Sequence, residues 1–136
     1  MNENEMVLKL REMLLQVFCL NSIDEIQEHH ALVKDLGAES IDFVEILYLI
    51  EKNFSVVLKA NEIILGGEKI MDTDIFVNDR LTDAGVKILK NKFDVRSAEC
   101  LESGMTKIEI LSMITVRDLA KIIRIKKENE VNDVSK

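Results

Sequence analysis

Proline and tryptophan are both absent from this chain of 136 residues, glycine occurs five times, and aromatic residues make up 4%. Sandwiches and barrels of many short strands need frequent Gly and Pro turns and aromatic or β-branched packing, so this composition opposes them. Cysteine is scarce too. Cys19 and Cys100 stand far apart, outside any ligand-like spacing, which argues against a disulfide framework or a zinc site. The expectation is two reduced, packed thiols. Positive charge is in deficit: the net charge is −7. A nucleic-acid binder needs a basic surface to neutralise phosphates, so that class is opposed. No apolar run approaches the roughly 18 residues of a membrane span. The opening Met1-Asn2-Glu3-Asn4-Glu5 lacks the charge pattern of a signal peptide, so a cytoplasmic protein is expected.

Leu, Ile, Val and Met dominate the apolar 47%, which suits a helical bundle formed as one domain over residues 1–136. Met6, Val7, Leu10, Met13, Leu14, Val17 and Phe18 recur with helical spacing, predicting a helix from Glu3 to about Leu20. Ser22-Ile23-Asp24-Glu25 reads as a capping box that opens a short helical turn. His29 and His30 are adjacent, so they share no helix face, and no third ligand lies near. They read as loop residues. Ala31, Leu32, Val33 and Leu36 pin the loop to a core, and Gly37 marks a turn.

A second long helix is predicted from Ile41 to Phe54. On its wheel Asp42, Glu45, Lys52 and Asn53 form one stripe, with Leu49 inside it and Tyr48 at its border. Ile41, Phe43, Val44, Leu47 and Ile50 cover most of the remaining surface. Ser55-Val56-Val57-Leu58-Lys59 predicts an extended run, Asn61–Leu65 a helical turn, and Gly66-Gly67 its end. Beyond that, Thr82 predicts a cap for a helix from Asp83 to Asn91 that buries Val86, Leu89 and Phe93. A short helix is expected at Ser97–Leu101, with a stop near Gly104. Met105–Ile114 suits strand and helix equally. Thr115-Val116-Arg117-Asp118 predicts the start of the last helix, with Val116, Leu119, Ile122 and Ile123 buried. Lys121, Arg124, Lys126 and Lys127 are expected to complement the dipole at its end, and residues 128–136 to fray.

Ser40 stands at the start of the second helix. A catalytic serine needs a base in reach and an oxyanion hole. The sequence holds no G-x-S-x-G elbow, no phosphate-binding Gly-rich loop and no metal-ligand set. The expectation is a protein without catalytic residues of its own. As a plain helix N-cap, Ser40 would contribute about 1 kcal/mol. An exposed serine at a helix start also suits a phosphate ester, because free N–H groups and the positive dipole end favour one.

Asp35-Leu36-Gly37-Ala38-Glu39-Ser40-Ile41-Asp42 resembles the Asp-Leu-Gly-x-Asp-Ser-Leu-Asp signature of acyl carrier proteins. The apolar helix after it, ending in Phe54, and the closing Thr115-Val116-Arg117-Asp118-Leu119 helix stand in that family's order. The resemblance spans about residues 3–65 and 108–127. It implies an all-α, acyl-carrier-like bundle of three main helices plus short ones, with a long insertion at about residues 66–107. It further implies 4′-phosphopantetheine on Ser40, transferred from coenzyme A by a phosphopantetheinyl transferase, and acyl groups held as thioesters for fatty-acid, lipid or specialised-metabolite enzymes. Asp35, Glu39, Asp42, Glu45 and Glu51 would face basic patches on acyl synthases and transferases, which would speed encounter and set orientation. Tyr48, Leu49 and Lys52 would complete that docking face. Val44, Leu47, Phe54 and Ile63 would line an acyl pocket, although ordinary core packing accounts for them equally. A monomer is expected.

Departures from the signature are Glu39 for Asp, Ile41 for Leu, Lys52 where an acid is common, and the insertion. The insertion is either a mark of specialised cargo and partners or a cover for the core. A separate reading is an unmodified, carrier-like helical protein that acts only as an interaction or regulatory module.

Overall fold

Helix α1 (Glu3–Val17) buries Met6, Val7, Leu10, Met13, Leu14 and Val17 along one face, as their spacing requires. Asn2 caps it, its Oδ1 accepting from the Glu5 amide at 2.8 Å. The structure is a computed structural model that describes residues 2–67 and 75–134, with side chains as far as residue 130. Helix α1 stops short of Leu20, and Cys19 takes a left-handed φ of 53°.

The expected capping box forms. Ser22 Oγ accepts from the Asp24 amide, Glu25 Oε2 accepts from the Ser22 amide, and a 3-10 turn follows at Ile23–Glu25. Arg11 Nε donates to the Ile26 carbonyl at 2.6 Å, fastening the turn to α1. The loop beyond is held by the buried Ile26, Ala31 and Leu32 and by a Leu32 amide bond to the Ile114 carbonyl at 2.9 Å.

Helix α2 (Ser40–Phe54) ends where Ser55 turns left-handed. Its last carbonyls are taken by lysines from two other helices. Lys9 Nζ donates to Asn53 O at 3.1 Å and Lys127 Nζ to Phe54 O at 3.0 Å. No strand forms at residues 55–59, although Val56 and Leu58 are buried and Val57 exposed in alternation. Helix α3 (Ala60–Ile64) ends at Gly66 and Gly67, both at positive φ.

The segment after residue 74 opens with a hairpin that the sequence does not predict. Strands β1 (Phe76–Val77) and β2 (Arg80–Leu81) pair as a hairpin, with Asn78 and Asp79 at φ 53° and 63°. A type I′ hairpin turn needs positive φ at both positions, and Asn and Asp tolerate it better than most residues. The ribbon is small, and the chain is mostly helical, in keeping with the all-α expectation. Thr82 caps α4 (Asp83–Lys90) as expected, accepting from the Gly85 amide at 2.9 Å. Helix α5 (Val95–Ala98) starts before the expected Ser97. Helix α6 (Lys107–Met113), opened by a Thr106–Glu109 capping box, resolves the ambiguous stretch. Residues 68–74 of the expected insertion, and residues 135 and 136 of the expected tail, lie outside the described residues.

The last helix, α7 (Val116–Val134), packs against α1, which also packs against α2. Helix α7 runs on to Val134, through the stretch from residue 128 that is expected to fray. The cations read as dipole partners are mid-helix tethers instead. Lys121 Nζ reaches Phe93 O at 3.0 Å, Arg124 pairs with Glu3 and Glu128, and Lys126 pairs with Glu62. Ile75, Leu81, Leu89, Phe93 and Leu101 join the same hydrophobic cluster as Leu10, Ile46 and Ile122. Each fully buried Leu or Ile side chain contributes about 1.5–3 kcal/mol, so the described part of the insertion is part of the core.

Asp118 fastens that part in place. Its carboxylate is buried and accepts from the Asp94 amide at 2.7 Å, from the Thr115 amide at 2.9 Å, and from the Ser97 hydroxyl. Thr115 Oγ1 in turn accepts from the Asp118 amide at 3.1 Å, so the predicted Thr-to-acid cap is present. Burial pushes the Asp118 carboxyl above its ordinary range, and the bonds from Ser97, Thr115 and Asp94 oppose that rise.

Candidate functional site

Ser40 is exposed and is the first residue within α2. The N-cap is Glu39, which corrects the expectation that Ser40 caps the helix. The cap is closed from inside, where Asp42 Oδ2 accepts from the Glu39 amide at 2.8 Å. The Ser40 hydroxyl has no hydrogen-bond partner among the described residues. The Ser40 and Ile41 amides also lack acceptors among those residues, being orphan donors of a helix start. A tetrahedral phosphate ester on Ser40 would meet these two N–H groups and the positive end of a helix of 15 residues. The carboxylates of Glu39 and Asp42 weaken that attraction.

The turn before the serine is held by Asp35. Its Oδ2 accepts from the Ala31 amide at 2.6 Å, and the Ala38 amide returns to Leu32 O at 2.9 Å. Asp35 and Asp42 therefore shape the loop and helix start in addition to carrying charge. Gly37 takes φ 74° there, as the turn reading expects.

The other expected docking residues divide. Glu39, Tyr48, Glu51 and Lys52 are exposed and Glu45 is half-buried, so all five are accessible. Leu49 does not. It is 6% exposed and lies in the core, which removes it from the docking face. Val44 moves the opposite way. The resemblance implies an acyl-pocket position for it, yet it is 68% exposed. Together with Ile41 at 74% and Tyr48 at 60% it makes an exposed apolar stripe at i, i+3 and i+7. Of the remaining pocket residues, Leu47 is half-buried, while Phe54 and Ile63 are packed in the core. The structure does not bring the four together around a cavity at Ser40.

A groove does lie at Ser40. It has a volume of about 380 Å³ and is walled by Val33, Ala38 and Phe43 on one side and by Ile108 and Leu111 of α6 on the other, with Glu39, Ser40 and Ser112 completing it. None of the α6 residues was identified from the sequence. The only available signal was their spacing at i, i+3 and i+4, hidden because the stretch suited strand equally.

The histidines stay apart from this site. His30 Nδ1 accepts from the Gln27 amide at 3.0 Å, and His29 lines a polar hollow with Glu28, Asp94, Arg96 and Arg117. Cys19 and Cys100 are free thiols, as expected, but both are exposed, which corrects the packed reading. Among the described residues, no cluster of three His, Cys, Asp or Glu is placed to hold a metal ion, and no helix is long and apolar enough to cross a membrane. Comparison with protein-family models, with curated proteins and with solved structures found no match to this chain.

Proposed function

We propose that the protein is an acyl carrier that holds acyl groups as thioesters on a 4′-phosphopantetheine arm esterified to Ser40. The observation that carries this reading is Ser40 itself: an exposed, unbonded hydroxyl on the first turn of a long helix, inside the Asp35-Leu36-Gly37-Ala38-Glu39-Ser40-Ile41-Asp42 motif. A serine kept only for stability would be expected at the cap, and the cap is Glu39. The bound arm would supply the terminal thiol on which cargo is carried.

The chain's own residues present and orient that arm. Asp35 and Asp42 fix the turn and helix start, so the Ser40 hydroxyl stands clear of the bundle. In the transfer Ser40 Oγ would bond to the phosphorus of the pantetheine half of coenzyme A as its pyrophosphate P–O bond breaks and adenosine 3′,5′-bisphosphate leaves; the transferase supplies the base that takes the hydroxyl proton, since neither His30, occupied with Gln27, nor any other described base is bonded to Ser40. Glu39, Glu45 and Glu51 present negative charge to basic partner patches, and Ile41, Val44 and Tyr48 give apolar contacts between them. The same exposed stripe also suits an unmodified interaction module. Intact mass after incubation with coenzyme A and a promiscuous phosphopantetheinyl transferase separates the two: the carrier gains one arm and the module gains none.

A further inference from the structure

We infer that the polar hollow at His29 binds a small zwitterion, a free α-amino acid with a small or polar side chain. The site is separate from Ser40 and does not depend on the carrier reading.

Three stretches distant in sequence build the hollow: Glu28 and His29 of the loop, Asp94 and Arg96 at the start of α5, and Thr115 and Arg117 at the start of α7. The main chain fixes them. The Arg117 amide donates to Glu28 O at 2.8 Å, the Val116 amide to His30 O at 3.1 Å, and the Asp94 amide to the buried Asp118 carboxylate at 2.7 Å. The walls are therefore set before a ligand arrives, which limits the ordering cost of binding. The volume is about 210 Å³, below that of drug-sized pockets and suited to a small metabolite.

Two full charges in the wall have nothing to meet. The Arg96 carbonyl accepts from Cys100 Sγ at 3.5 Å, but its guanidinium has no partner among the described residues. The Asp94 carboxylate makes no cap bond and has no partner among them either. The two stand at i and i+2, a spacing that does not bring helical side chains face to face. Arg117 is already engaged with Glu3, Asn4 and Glu28. Thr115 Oγ1 accepts from the Asp118 amide at 3.1 Å, which leaves its own proton to donate into the hollow.

This charge pattern selects the ligand. A phosphate dianion would meet Arg96 but also Asp94 and Glu28. A metal cation would meet Asp94 but also both arginines. A molecule with one carboxylate and one ammonium group suits both unmet charges. Its carboxylate would take paired N–H groups of Arg96 and the Thr115 hydroxyl, and its ammonium would face Asp94. All six lining residues are polar, so a large apolar side chain gains nothing there.

The test titrates isotopically labelled full-length protein with L-serine, acetate, ethylamine or inorganic phosphate and follows the amide NMR signals. Serine should shift the amides of residues 28–30, 94–97 and 115–117 saturably, in the millimolar range. Acetate, ethylamine and phosphate, which lack one half of the charge pattern, should give no saturable shift at the same concentrations. Arg96→Ala and Asp94→Asn should each weaken serine binding about tenfold or more. Lys87→Ala, exposed and outside the hollow, should bind as the wild type does. The Arg96 and Asp94 side chains are unbonded, so both variants should fold, and unchanged α1 signals check this. No saturable shift with serine, glycine or alanine, a single-charge probe or phosphate matching serine, or undiminished binding in either variant overturns the assignment.

Discussion

The Asp118 carboxylate accepts the Asp94 amide at 2.7 Å across the junction of α7 with the inserted segment. The same carboxylate caps α7 through Thr115 and takes the Ser97 hydroxyl of α5. One side chain thus joins the start of the last helix to the start of α5. Asp118→Ala leaves buried donors without an acceptor, each worth about 1–3 kcal/mol. The expected loss is roughly 2–4 kcal/mol by urea unfolding. A loss under half of one kcal/mol would show that the clamp is not formed.

Acidification tests the same residue through its ionisation. Burial raises the folded-state pKa of Asp118 above its unfolded value. Its contribution to stability is therefore fully present below the unfolded pKa and is lost as pH rises through the folded pKa. The stability of the wild type minus that of Asp118→Asn should grow as pH falls from neutral to about 4, then level off. A difference that shrinks over that interval would mean that the hydrogen bonds outweigh burial.

Three starts, at Ser22, Thr82 and Thr115, were legible in the sequence because capping is local. Each carries its signal within three residues, and each forms its cap. The direction in which α2 faces was not legible. From Ile41 to Ile50 every position apart from Asp42 and Glu45 is apolar, so a wheel alone does not say whether Leu49 or Val44 meets the core. Packing against α1 decides it. The fates of Lys121, Arg124, Lys126 and Lys127 were hidden for a related reason, since their partners lie far away in sequence.

Two substitutions check the facing of α2. Leu49→Ala should cost about 2–5 kcal/mol as a core truncation. Tyr48→Ala, its exposed neighbour, should change stability by no more than about 0.5 kcal/mol. Thermal or urea unfolding of both reads the contrast, and a reversed order would place the wrong face in the core.

Gly85 in α4 gives a test of how closely that helix sits on the hairpin. Alanine favours a helix over glycine by about 1 kcal/mol. A Cβ at Gly85, however, would stand 2.6 Å from the Ile75 carbonyl oxygen and 2.8 Å from Leu81 Cδ1. Backbone does not yield cheaply, so Gly85→Ala should lower the unfolding midpoint despite its propensity. A raised midpoint would show that the contact is looser.

Because Ser40 is inside the helix rather than at its cap, Ser40→Ala should leave stability within about 0.5 kcal/mol of the wild type. Thr82→Ala, at a cap, should cost about 1 kcal/mol. Equal losses at the two positions, measured by urea unfolding, would restore a structural role to Ser40.

That neutrality makes Ser40→Ala a clean control for the central claim. Wild type and Ser40→Ala would be incubated with coenzyme A and a promiscuous phosphopantetheinyl transferase, then weighed intact. The carrier account requires the mass of one phosphopantetheine on the wild type, localised to the peptide containing Ser40, and none on the variant. An unchanged wild-type mass, or an equal gain on both proteins, would contradict it.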